Sequence, residues 1–268
     1  MKRGGKYLFL LVPIILFPLF ITVVWIFTER WPWPNLLPKV FSLRAINEVW
    51  SRKEQLSAML LSSIGISTVV GILSIIIGMM TARALTCYEF AGKRLIHFLT
   101  ILPFMVPATV FAMGVQITFI KLGLNNTITG VVIAHLICSL PYAIRLIIDG
   151  MEAVGTGFEE QARVLGAGAG EAFLKTTLPL LSPVLVSAMS MAYVVSFSQY
   201  FLTLLIGGGV VKTFTIVMVP YLQSGDRNIA CIYSGLFLLV TMVVFWGFEK
   251  IAKMWNEETE DAYYGINN

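Results

Sequence analysis

Charge is scarce in this chain. Asp, Glu, Lys and Arg make up 13% of its 268 residues, about half the share usual in soluble domains, while 57% of the residues are hydrophobic. That balance excludes a water-soluble globular domain and makes a bilayer the natural solvent. All fifteen acidic residues fall between the long apolar runs or at their ends, so no carboxylate stands in mid-membrane to bind a proton or sodium ion, as ion-driven carriers require. Paired carboxylates, metal-ligand clusters and an activated nucleophile are all missing, which leaves an embedded enzyme without machinery. Cys87, Cys138 and Cys231 share no metal-ligand spacing and read as small packing residues. A phosphate-binding Gly-x-x-x-x-Gly-Lys-Ser/Thr loop is lacking too: Lys175 stands five residues after Gly170, and no strand precedes the glycines of 166–170. The net charge of +4 is dispersed through short connections with no long basic run, which argues against nucleic acid as a partner.

What is present is a series of apolar windows: Leu8 to Phe27, Leu56 to Met80, Leu95 to Ile120, Ile128 to Ile148, Leu178 to Ile206 and Ile229 to Phe248. Each is long enough to cross a bilayer, and lipid requires each to cross as a helix. The reading is an all-α integral membrane protein with six transmembrane helices. No small-x-small cleavage site follows the first window, so it is expected to remain as the first span. Of the nineteen Lys and Arg residues, eleven fall on the side of the N-terminus and eight opposite, five of those eight between Thr28 and Gln55. This bias predicts a multi-pass protein of the cell (inner) membrane with both termini cytoplasmic. Trp31-Pro32-Trp33-Pro34 reads as an interfacial anchor whose prolines stop the first helix. Pro103 and Pro107 are expected to kink or break the third span.

The polar segment Asp149 to Pro179 is patterned beyond the needs of a linker. A helix is expected to start at Gly157, with Glu159 and Glu160 in the first turn, where negative charge suits the helix N-terminus. Phe158, Ala162 and Leu165 form an apolar stripe that so short a helix cannot bury by itself. Gly166 sits where a left-handed residue would end the helix. A second short helical stretch, with Ala169, Ala172 and Phe173 on one side, leads to Leu178-Pro179. Chemistry alone leaves two readings open: a knob for a soluble partner's groove, or a helix resting on lipid.

Glu160-Gln161-Ala162, then three residues, Gly166, then nine residues, Thr176-Thr177-Leu178-Pro179 resembles the EAA motif of binding-protein-dependent ABC permeases: Glu-Ala-Ala, three residues, Gly, nine residues, Ile, any residue, Leu-Pro. Gln161 and Thr176 depart from it, and Gly168 and Gly170 loosen the turn. The resemblance implies a type I ABC importer transmembrane fold over residues 56–250, preceded by a first helix and outer loop at 1–55 and followed by a cytoplasmic tail at 251–268. It implies a coupling helix between helices 4 and 5, with Phe158, Glu159, Glu160, Ala162, Leu165, Gly166, Ala172, Phe173, Leu178 and Pro179 as ATPase-coupling residues. ATP and Mg would be held by separate ABC ATPase subunits, with no cofactor in this chain. The further implied partners are a second permease, in a heterodimer by preference, an extracytoplasmic solute-binding protein, and the surrounding membrane lipid. Phe41-Ser42-Leu43, Leu122 to Thr127, His135 through Leu140-Pro141 and Ser196 to Tyr200 resemble the spermidine/putrescine branch, which implies a small polar solute such as a polyamine. That branch also shelters thiamine, phosphonate, ferric-iron and sulfate importers.

The fifth window is the polar one. Ser198, Gln199, Tyr200 and Thr203 are candidates for the solute path, with Gln116 on the third window, while Ser187 and Ser190 read as helix packing. His135 reads either as a hydrogen-bonded packing residue or as a proton relay. Val210 to Asn228 reads as a flexible outer loop whose Tyr221 and Asp226 either touch a delivering protein or are simply solvated.

Overall fold

The apolar windows fold as helices, as a solvent without hydrogen-bond partners demands. The computed structural model describes residues 4–31, 35 and 37–264; Pro32, Trp33 and Pro34 of the aromatic anchor lie outside them. In chain order the elements are α1 (Gly4–Ile26), β1 (Thr28–Arg30), β2 (Val40–Phe41), α2 (Arg44–Ser51), α3 (Lys53–Cys87), α4 (Lys93–Met105), α5 (Ala108–Lys121), α6 (Ile128–Val154), α7 (Gly157–Val164), α8 (Ala169–Ala172), a π-helical turn (Phe173–Thr177), α9 (Leu178–Phe197), α10 (Phe201–Gly207), α11 (Phe214–Ser224) and α12 (Arg227–Tyr264). Among the described residues, four helical stretches are long and apolar enough to cross a membrane: Lys53–Cys87, Ile128–Val154, Ala169–Phe197 and Arg227–Met254.

Two windows are broken helices. Val106 is extended at φ −96° and ψ 121°, ahead of Pro107, because the proline ring excludes the helical conformation from the residue before it. The third window is therefore two helices, α4 and α5, the break falling at Pro107 as expected, while Pro103 lies inside α4 without ending it. The fifth window breaks at Ser198–Tyr200 with neither proline nor glycine at the break, which periodicity did not foresee. The expected flexible loop over Val210 to Asn228 is corrected as well, since Phe214–Ser224 is helical.

One compact unit comprises residues up to Leu60 together with Phe214–Met242. In it β1 and β2 pair antiparallel, Thr28 opposite Phe41 and Arg30 opposite Val40. Asn228 Nδ2 donates to the Glu29 carbonyl at 3.1 Å, Arg44 pairs with Asp226 at 3.2 Å, and Arg52 donates to the Tyr221 hydroxyl at 2.8 Å. Tyr221 also stacks on Tyr233. Tyr221 and Asp226 thus serve this unit's own architecture.

The second unit comprises Leu61–Thr213 and the chain from Val243 on. Its centre is α6, half of whose apolar window is buried, against 17% for the window of α12. One core cluster joins Met79, Ala82 and Leu85 of α3 to Ile144, Ile147 and Met151 of α6 and to Leu181 and Leu185 of α9. Another joins Ile66 and Val70 of α3 to Phe119 of α5, Val131 and Ala134 of α6, and Leu202 and Ile206 of α10. Lipid is as apolar as these side chains, so close approach rather than hydrophobic transfer holds the helices together, and small residues mark the contacts. A Cβ on Gly150 of α6 would stand 2.8 Å from both methyls of Val184 on α9, and one on Gly78 of α3 would stand 3.1 Å from Ile147 Cδ1.

Gly150→Leu should therefore cost about 1–3 kcal/mol by overpacking, read as a lower thermal unfolding midpoint in detergent. Val184→Ala in the same chain should recover part of the loss. An unchanged midpoint for the single variant would mean that α6 and α9 do not pack as described.

Candidate functional site

The polar segment after α6 is built by local rules. Gly155, at φ +69°, turns the chain out of α6, and the Thr156 hydroxyl donates to Glu160 Oε1 at 2.8 Å across the first turn of α7. Glu159 and Glu160 lie in that turn and Arg163 in the last, each sign at the end the helix dipole favours. At the far end Ala167 N donates to the Ala162 carbonyl and Gly166 N to the Arg163 carbonyl, both at 3.0 Å, with Gly166 at φ +99°. These two bonds form a Schellman cap, and they end α7 where the glycine predicted. The chain re-enters through α8 and the π-helical turn. Pro179 cannot donate to the Lys175 carbonyl, and a π-helical turn just ahead of it absorbs the missing bond.

The two faces of this segment differ sharply. On the inner face Glu159 Oε1 receives Arg83 Nη2 at 2.7 Å, with the two side chains 15% and 21% exposed. Glu159 Oε2 accepts from the Thr177 hydroxyl at 3.2 Å, and the Arg83 guanidinium lies 4.1 Å from the centroid of the Phe173 ring. Ala172 and Thr177 are buried beside them. Arg83 stands one turn beyond the last apolar residues of its window, so α3 carries its charge to the level of α7. One carboxylate thereby ties α7 to the ends of α3 and α9. On the outer face Phe158, Val164 and Leu165 are 52%, 87% and 88% exposed, and Glu160 and Gly166 are exposed beside them.

Of the residues expected to couple this segment to a partner, Phe158, Glu160, Leu165 and Gly166 face outward. Ala162, Leu178 and Pro179 are half-buried, while Glu159, Ala172 and Phe173 turn inward to hold the helix. Sequence reasoning missed Val164, which lies off the periodic stripe, and it missed Arg83 and Thr177. A basic residue just past an apolar run was the available signal for Arg83.

The path candidates gather around α10, about 30 Å from α7 along α6 at 1.5 Å per residue. Ser198, Gln199 and Tyr200 form the break between α9 and α10, with Ser198 exposed and the other two half-buried. Gln116 Nε2 of α5 reaches the Leu205 carbonyl at 3.5 Å. Thr203, also a path candidate, is fully buried. Its hydroxyl donates to the Gln199 carbonyl at 2.7 Å and meets His135 Nε2 at 2.9 Å, while His135 Nδ1 lies 3.0 Å from the Ser196 hydroxyl. His135 is thus hydrogen-bonded through both ring nitrogens to hydroxyls, as a packing residue would be. Ser187, expected to pack, returns its hydroxyl to the Pro183 carbonyl at 2.9 Å.

Residues 74–253 match the family described as binding-protein-dependent transport system inner membrane component. Among curated proteins, the sulfate transport system permease protein CysT of Escherichia coli (strain K12) is 25% identical over 198 residues, covering 68% of this chain and 72% of that protein. The molybdate/tungstate transport system permease protein WtpB of Pyrococcus abyssi is 27% identical over 184 residues, with 67% and 73% covered. The trehalose transport system permease protein SugB of Mycobacterium tuberculosis is 29% identical over 153 residues, with 57% and 56% covered. In fold the chain resembles a crystal structure of a bacterial ABC transporter involved in import of the acidic polysaccharide alginate, at TM-score 0.67 and 13% identity over 94% of this chain and 96% of that one. The polyamine expectation finds no support in these relatives and is withdrawn.

Glu159→Ala should free α7 from α3 and leave Arg83 without its carboxylate. Trypsin cleavage after Arg163 should then speed up about tenfold, the scale of a charged hydrogen bond lost. Exchanging the pair, Arg83→Glu with Glu159→Arg, should recover part of the protection. Equal cleavage rates in wild type and Glu159→Ala would show that the ion pair does not anchor α7.

Proposed function

Because this chain belongs to the inner membrane components of binding-protein-dependent transport systems, we propose that its α7 is the part gripped by a separate ATPase subunit. The chain is the permease subunit of an ABC importer, with the transmembrane permease fold of that class. The observation that carries the proposal is the pair of faces on α7. Val164 and Leu165 are almost wholly exposed on a helix whose opposite side is anchored by Glu159, and a capped, anchored helix with an apolar outer surface suits a partner's groove. The chain carries no phosphate-binding loop, so nucleotide is hydrolysed on that partner.

In this reading α1, α3, α4 with α5, α6, α9 with α10, and α12 make six crossings. Both termini and α7 then lie in the cytoplasm, as the basic-residue bias favours. ATP binding to the motor subunits draws α7 with it, and the Arg83–Glu159 pair passes that displacement to α3 and α9. A second, different permease completes the path, and an extracytoplasmic binding protein delivers the solute. The carboxylate-free path near Ser198, Gln199, Tyr200 and Gln116 suits a small anion, and the sulfate and molybdate/tungstate relatives support a tetrahedral oxyanion as the solute. A sugar is the second reading, supported by the trehalose relative.

The test is reconstitution of the complete transporter in proteoliposomes, with labelled sulfate, molybdate and trehalose as the solutes supplied. ATP-dependent uptake of one of the two oxyanions is expected, whereas uptake of trehalose alone would overturn the oxyanion assignment. Gly166 has open space around it, but its left-handed backbone strains any other residue. Gly166→Leu and Leu165→Asp should each leave membrane insertion intact and lower copurification with the ATPase about tenfold, as loss of one central contact does. Undiminished copurification in both variants would refute α7 as the docking element.

A further inference from the structure

The break in the fifth window has no local cause. Ser198 stays near helical geometry at φ −84° and ψ −5°, and residues 196–203 contain neither proline nor glycine. In lipid a continuous helix satisfies every backbone group, so an interrupted one needs support from side chains. The Thr203 hydroxyl gives part of that support by donating to the Gln199 carbonyl, and α6 holds this hydroxyl in place through His135. His135 is 1% exposed, Ser196 1% and Thr203 0%, so water does not reach the cluster. Ser196 lies in the last turn of α9 and Thr203 in the first turn of α10, on opposite sides of the break, and one imidazole holds both.

The proton bookkeeping is definite. The single Thr203 hydroxyl proton goes to the Gln199 carbonyl at 2.7 Å. At its 2.9 Å contact with His135 Nε2 the Thr203 oxygen must accept, so Nε2 carries the ring proton. Nδ1 is then free to accept from the Ser196 hydroxyl at 3.0 Å, and a neutral imidazole satisfies both contacts. His135 is itself set in place, because the Ser139 hydroxyl donates to its carbonyl at 2.9 Å and meets the Ser74 hydroxyl of α3 at 3.2 Å.

We infer that His135 is a positioning residue that clamps the α9–α10 break and so fixes Ser198, Gln199 and Tyr200 in the solute path. The path role rests on the proposed function; the clamp itself does not. The imidazole acts through Ser196 and Thr203, and it need not touch solute.

The inference is tested by hydrogen–deuterium exchange on the purified full chain, followed by uptake in the reconstituted transporter. His135→Ala should speed amide exchange about tenfold in the peptide covering residues 196–204, as loss of the supporting hydrogen bonds implies, with peptides from α3 unchanged. Asn places polar atoms near the Nδ1 position and Gln near Nε2, so His135→Asn should restore the Ser196 side of the peptide and His135→Gln the Thr203 side. These two variants also keep the test decisive where the alanine form does not fold. In uptake, with labelled sulfate and molybdate supplied, KM should rise about fivefold in His135→Ala while copurification with the ATPase is kept, since contacts at the path and not at α7 are disturbed. Exchange that rises equally along the whole chain, or not at all, would overturn the clamp. A protected peptide in wild type beside a transporter that moves neither oxyanion would refute the oxyanion path and leave the clamp standing.

Discussion

Hydrocarbon offers a peptide group no hydrogen-bond partner, and the rest of this structure follows from that constraint. It makes every apolar window helical, and it governs what happens where a helix cannot continue. At Val106–Pro107 the proline removes the donor and the chain changes direction into α5. At Pro179 the helix widens to a π-helical turn instead. The same constraint directs the hydroxyls: Thr22, Thr81, Thr86, Ser139, Ser187, Thr203, Ser234 and Thr241 each return a hydrogen bond to the carbonyl four residues earlier. A polar side chain in a span is thereby satisfied by its own helix unless another element offers more, as His135 does.

The segment around α7 inverts the usual distribution of side chains. Its Glu159 carboxylate turns inward, held by Arg83 and Thr177, while its apolar groups Val164 and Leu165 turn outward. An inward carboxylate in a partly dehydrated setting is costly unless paired, and three groups from α3, the π-helical turn and α7 share that pairing with the Phe173 ring. The outward apolar groups are left for something else to cover. In the proposed mechanism that cover is the ATPase, and the inward cluster carries its movement to the membrane helices.

Burial within one chain also explains which helices are central. α6 packs against α9 through its own Gly150 and against α3 where Gly78 of α3 admits Ile147. Helices with lower burial, such as α12, leave apolar side chains such as Leu239, Met242 and Trp246 exposed.

Much was legible in order of residues alone. Hydropathy located the long apolar helices, four of which among the described residues are long enough to cross a membrane, because a window of apolar residues has one solution in lipid. Pro107 marked the first break, because proline acts on its immediate neighbours, whereas Pro103 is carried within α4. Gly157, Glu159, Glu160 and Gly166 marked both ends of α7, because capping is a matter of a few consecutive residues. The inward turn of Glu159 against the outward turn of Glu160, the partnership with Arg83 some seventy-six positions earlier, the helical character of Phe214–Ser224 and the break at Ser198–Tyr200 were not legible. The turn of Glu159 is decided by a group remote in sequence, Arg83. By itself the sequence determined where the long apolar helices run and where short helices begin and end, since those choices rest on neighbours within a turn or two. Only the tertiary structure decided which polar groups find each other, because a hydrogen bond such as that of His135 to Thr203, across sixty-eight positions, exists only after the helices have packed.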